Sequence, residues 1–243
     1  MKLREPRTKI PEETYWQGMA KLFHPLMFAP ILMLCTIGTF LSNEVDHFVY
    51  LLELVGVSAV VIANYHLDEG LEKTTAPSVP KSHNIIIFLV GFVIGWSIAG
   101  YLMKTTYIII IVPIMIAAVG GAGYNMDIPY MHNRVVYSLV WGGTPIFGSY
   151  MLQTGQWPNL TVIMFTIFGM LLAIKLFWNW SLRTCGRLAV CKKAHYERYC
   201  HGPDTTFCGD RLTMPKPVNN TMKTLQKLDL IILFCLMIGV VVM

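Results

Sequence analysis

Long apolar runs with at most one charge each, separated by polar stretches, set the pattern of this chain. The runs lie near 22–41, 48–66, 85–102, 107–122, 135–152, 160–180 and 228–243. Each is close to the roughly 17–25 residues needed to cross a hydrocarbon core. Helices buried inside a soluble protein can be equally apolar, but they show polar faces repeating about every 3.6 residues. Residues 85–102 and 108–122 carry no charge on any face. The pattern therefore predicts an all-α integral membrane protein, one transmembrane domain of seven helices. Residues 1–15 are polar and charged, and no small-residue cleavage site follows the first apolar run, so the first helix is expected to be retained.

Composition agrees with that pattern: 54% of the 243 residues are apolar and 14% charged. The placement of the charges adds a direction. Lys2, Arg4, Arg7, Lys9 and Lys21 precede the first run, Lys73 and Lys81 follow the second, and Arg134 follows the fourth. Arg183, Arg187, Lys192, Lys193, Arg198, Arg211, Lys216, Lys223 and Lys227 follow the sixth. Basic loops stay cytoplasmic, so the N-terminus, these loops and the segment 181–225 are expected on the cytoplasmic side, with Met243 outside. This bias accounts for the net charge of +5 and for attraction to anionic membrane lipids, and no nucleic-acid-binding pattern accompanies it. Segment 181–225 is too long for a tight turn and is expected to form an ordered cap.

The second run ends in candidate chemistry. On a helix, Asn64, Asp68 and Glu72 stand four residues apart and share one face, a ladder of hard oxygen donors suited to magnesium and a diphosphate. The plainer alternative is a solvated helix end in which Glu69 pairs with Lys73. Elsewhere, Gly91 and Gly95 suggest close helix packing. Glu53 and Lys175 are expected to extend to the interfaces.

The pattern Asn64-x-x-x-Asp68-x-x-x-Glu72 resembles the first aspartate-rich motif of the UbiA superfamily of membrane prenyltransferases. Lys21-Leu22-Phe23-His24-Pro25 is similar to the Arg-Pro segment before that family's first helix. Gly123-Tyr124-Asn125 and Trp141-Gly142-Gly143-Thr144-Pro145 onward to Gly155 look like the fourth loop and fifth helix of its quinone-pathway members. The resemblance spans roughly residues 20–180. It implies a magnesium-dependent transfer of a prenyl group from an isoprenoid diphosphate to a lipophilic acceptor. Asp68 and Glu72 would act with Arg134, while Asn64, Lys73, Tyr124, Arg183 and Arg187 would hold the diphosphate. The isoprenoid tail would lie among Trp141, Phe147 and Tyr150.

The chain departs from the family where a second acidic motif should follow the sixth helix. Trp178 to Arg187 contains no carboxylate, Tyr65 stands where many members have an acid, and a last helix pair of the family has no counterpart. Asp127, Asp204 and Asp210 are candidate substitutes, with solvated loop acids as the alternative. A catalytically degenerate subunit of a larger membrane complex is therefore the rival expectation.

Of six cysteines, Cys35 and Cys235 fall in apolar runs as packing residues. Cys185, Cys191, Cys200 and Cys208 alternate with His195 and His201 in one loop. Thiolates with imidazoles suit zinc, which would fold that loop into a lid over the Asn64 end and which also suggests a metal-binding electron-transfer or assembly role. Disulfides and free thiols remain open beside it.

Overall fold

The computed structural model describes residues 14–23, 25–72, 78–126, 128, 130–131, 133–188 and 216–242. Among them every regular element is helical. The order is α1 (Tyr15–Leu22), α2 (Pro25–Phe40), α3 (His47–Glu72), α4 (Lys81–Thr105), a 3₁₀ turn (Ile108–Ile110) entering α5 (Ile111–Asn125), α6 (Arg134–Ser138), a π-helical segment (Leu139–Gly143), α7 (Thr144–Thr154), α8 (Leu160–Leu188) and α9 (Lys216–Val242). Three stretches, His47–Leu71, Lys81–Thr105 and Ile108–Asn125, are long and apolar enough to cross a membrane, and Phe28–Phe40 and Leu160–Lys175 form shorter apolar helices.

Helix starts follow local chemistry. Asp46 Oδ1 accepts from the backbone N–H of Phe48 (2.9 Å) and Val49 (3.0 Å), satisfying amides that the first turn of α3 leaves unpaired. Asp46 N–H donates to Gln153 Oε1 of α7 at 2.9 Å, so the same residue joins the start of α3 to the end of α7. Asn133 caps α6 through Val135 N (2.9 Å) and Val136 N (3.0 Å). Gly155 ends α7 with φ 65°, a left-handed conformation in which a side chain would also run into the Tyr107 ring.

The longest packed pair is α3 against α4. Asn84, Gly91, Gly95 and Leu102 are the buried positions of α4 and form one narrow stripe. A Cβ on Gly91 would strike the carbonyl of Ala59, and one on Gly95 would strike Val60, so these glycines let the two helices meet closely, as their spacing suggested. The rest of α4 turns Ile86, Leu89, Val90, Phe92 and Val93 outward. A continuous apolar surface of that kind suits lipid rather than water.

The second core joins α2, α7, α8 and α9 through Leu34, Ile37, Ile146, Met151, Val162 and Leu233. Its helices cross at glycines: a Cβ on Gly142 falls on the carbonyl of Gly169, and one on Gly38 falls on the carbonyl of Ile146. Gly142 lies in the π segment, whose wider turn is closed by both the backbone N–H and the hydroxyl of Thr144 on the Leu139 carbonyl (hydroxyl 2.8 Å).

Several expectations are corrected. The first apolar run lies in α2 apart from its first residues and is preceded by the short α1, and the fifth is divided by the π segment. The helices also take both flanks of the expected 181–225 loop: α8 continues to Leu188, because Ser181 to Leu188 holds no proline and one glycine, and α9 begins at Lys216 with Pro217 in its favoured first-turn position. Lys175 does not simply extend to an interface; it pairs with the buried Asp229, tying α8 to α9. Glu53 turns inward, because hydroxyls of Thr39 on α2 and Ser149 on α7 offer hydrogen bonds there.

Close helix crossing makes a direct prediction. Gly142→Val and Gly169→Val should each destabilise the protein by about 1–3 kcal/mol, the usual cost of forcing atoms into a filled interior. Thermal unfolding in mild detergent reads this, and Gly239→Val, a position with no neighbour within 4 Å, should leave the midpoint unchanged.

Candidate functional site

The end of α3 carries polar residues on several faces, and each neighbouring helix answers one of them. Small residues open the way: α5 reads Gly120-Gly121-Ala122-Gly123 before Tyr124 and Asn125, and its Gly121 is buried beside Asn64. At this close approach Asn125 Nδ2 donates to Asn64 Oδ1 at 2.8 Å, while Asn64 Nδ2 donates to the Val60 carbonyl at 2.9 Å. The Asn64 carbonyl oxygen keeps one further lone pair. Asp68, half-buried, follows one turn along the same face.

An aromatic column stands beside this pair. The Tyr124 and Tyr137 rings lie 5.2 Å apart, and Tyr137 and Trp141 6.4 Å apart. Tyr65 is in electrostatic contact with both Tyr137 and Asp68. Thus α3, α5 and α6 with its π extension meet at one polar end, and Arg134 opens α6 there at an exposed position. Glu72 is the last residue of α3. Arg183, Cys185 and Arg187 lie on the backbone of α8. Lys73, Asp127, Cys191, His195, Cys200, His201, Asp204, Cys208 and Asp210 fall outside the described residues. Among the described residues no group of three His, Cys, Asp or Glu side chains is arranged to hold a metal ion.

The donor set that is described, an amide oxygen from Asn64 and a carboxylate from Asp68, consists of hard oxygens. It fits one side of a magnesium shell, the remaining positions of which such sites usually leave to water and phosphate. In that arrangement Asn125 fixes the rotation of the Asn64 amide.

The opposite face of the helix end holds residues that sequence spacing did not single out. His66 and Asn84 are fully buried, and His66 Nδ1 meets Asn84 Oδ1 at 2.8 Å. A carbonyl oxygen only accepts, so Nδ1 carries the hydrogen. His66 Nε2 and Asn84 Nδ2 have no hydrogen-bond partner among the described residues. Phe23 covers His66, ring to ring at 5.3 Å. A lone asparagine leading into the Ile85-Ile86-Ile87 run was the signal for this pair. Glu69 is 1% exposed, so the solvated helix end considered above does not describe it.

Phe147 and Tyr150 pack into the core of α2, α7, α8 and α9, whereas Trp141 packs with Ile31, Cys35 and Val61. An apolar groove of about 480 Å³ runs between α3 and α4, bounded by Leu54, Ile62, Ile87, Ile94 and, at the His66 end, Phe23.

No family model, curated protein or solved structure matches the chain. The fold and its surfaces define the class: an all-helical protein with three helices long and apolar enough to cross a membrane.

The Asn64–Asn125 contact should couple energetically. A double-mutant cycle with Asn64→Ala and Asn125→Ala, followed by unfolding in detergent, should give a coupling of about 0.5–1.5 kcal/mol. Additive losses would show that the two side chains act independently.

Proposed function

We propose that the chain is a divergent UbiA-like protein with seven membrane spans and a cytoplasmic N-terminus, which binds an isoprenoid diphosphate and transfers its prenyl group to a lipophilic acceptor. One observation carries the proposal: the 2.8 Å Asn125–Asn64 hydrogen bond joins two of the segments on which the resemblance rests. The two asparagines lie 61 residues apart in sequence, and the packing of α3 on α5 brings their polar side chains to one end of the bundle.

In this reading Asn64, Asp68 and Glu72 hold magnesium, which neutralises the diphosphate when bound. Asn125 orients the Asn64 oxygen, and Asp68 places its carboxylate one turn closer to the end of the helix. Arg134, Lys73, Arg183 and Arg187 supply positive charge to the departing oxygens, the contribution expected of preorganised cations in charge-separating reactions. Tyr124 borders the diphosphate. The apolar α3–α4 groove, closed at one end by Phe23 over His66, lies along the helix that carries Asn64 and Asp68 and offers an isoprenoid tail an apolar surface. The 185–208 cysteines and histidines would bind zinc and close the loop over the site.

The second reading is a non-catalytic subunit covered by other membrane chains. The acid-free stretch from Trp178 to Arg187 favours it, because the family's second acidic motif is missing there.

Purified protein incubated with magnesium and labelled prenyl diphosphates of several lengths separates the two. The transferase reading predicts diphosphate release that falls at least tenfold in Asp68→Ala and with chelator. Equal release from both proteins, together with copurification of stoichiometric partner chains, would favour the subunit.

A further inference from the structure

Glu53 takes no part in the function proposed above. It lies less than two turns into α3, roughly 9 Å along an axis that rises about 1.5 Å per residue. Its side chain nonetheless points into the bundle and is 7% exposed. Thr39 Oγ1 of α2 donates to Oε2 at 3.2 Å, and Ser149 Oγ of α7 is hydrogen-bonded to Oε1. The same Ser149 oxygen is hydrogen-bonded to the Pro145 carbonyl.

Counting hydrogens fixes the donors. A serine hydroxyl has one proton, and a carbonyl oxygen can only accept. With an ionised Glu53, both Pro145 O and Oε1 would be acceptors competing for the single Ser149 hydrogen. A proton on Oε1 removes the conflict: the acid donates to Ser149, Ser149 donates to Pro145 O, and Thr39 donates to Oε2. Every close oxygen pair then contains a hydrogen.

The charges nearby agree. Neither α2 (Pro25–Phe40) nor α7 (Thr144–Thr154) contains a lysine, arginine or histidine. The buried Cys35 of α2 carries a neutral thiol beside Glu53 and Ser149, and it too brings no positive charge. Tyr150 follows Ser149 on α7 but packs into the other core. On α3 itself, Tyr50 is taken up by Thr36 at 2.8 Å. A buried carboxylate without a cation is far costlier than a neutral acid with its hydrogen bonds made.

We propose that Glu53 is a proton-binding site inside the helix bundle, a carboxylic acid whose bound proton joins α3 to α7 while Thr39 joins it to α2. Loss of the proton would leave Glu53 and the Pro145 carbonyl sharing one hydrogen and loosen α3 from α7.

Infrared spectroscopy of the whole protein in lipid at neutral pH, with glutamate carboxyl carbons isotopically labelled, tests this. We expect a label-sensitive C=O band of a protonated acid that Glu53→Gln removes and that Ser149→Ala moves to higher frequency by deleting its hydrogen-bond acceptor. Glu53→Gln, which reproduces the shape and hydrogen bonding of the neutral acid, should keep the thermal midpoint, and Glu53→Ala should lower it. A labelled protein with no acid band, or one whose acid band ignores Ser149→Ala, would overturn the proposal even if Glu53→Gln failed to fold.

Discussion

Polar groups in an apolar helix bundle must find partners on other helices, and in this protein that requirement falls mainly on α3. Glu53 is answered by Thr39 of α2 and Ser149 of α7, Asn64 by Asn125 of α5, and His66 by Asn84 of α4. With little water to compete, each unmade bond would leave a desolvated group, which costs more than a made bond returns. These pairings therefore fix how α3 is rotated and how far it slides against four neighbours. Apolar packing alone would not do so, because interchangeable apolar side chains tolerate many registers.

Glycine supplies the other half of the arrangement. Gly91 and Gly95 bring α4 against α3, Gly121 brings α5 beside Asn64, and Gly142 meets Gly169 where the π segment crosses α8. Backbones this close let short side chains such as Asn and Ser reach across. The wide turn at Leu139–Gly143 shifts the helical phase between Tyr137, which faces the polar end of α3, and Ser149, which faces Glu53. One continuous helical path thus serves both ends of α3, about 16 Å apart along its axis.

Much of this was legible as pattern. The apolar runs placed the helices, the four-residue ladder lay on a helix as spacing implied, and the Gly91/Gly95 step packed within the chain. What spacing did not reveal was rotation. Period tells which residues share a face but not which face turns inward, so Glu53 was expected at an interface although it enters the core, and His66 passed unnoticed beside the more familiar Asp68. The π segment was equally hidden, since Leu139 to Gly143 has no feature that forbids an ordinary α-turn. Charge in the loops gave an expected direction through the membrane, while the chemistry of 189–215 lies outside the described residues.

The central claim is that the Asn64 end of α3 takes a divalent cation together with a diphosphate. Manganese in place of magnesium makes that claim visible, because its unpaired electrons broaden nearby nuclear resonances. With a prenyl diphosphate and manganese present, the Asn125 and Asn64 side-chain amide signals should vanish, whereas that of Gln153, which reaches the opposite end of α3, should persist. Equal loss at both ends, or no loss at Asn64, would contradict it.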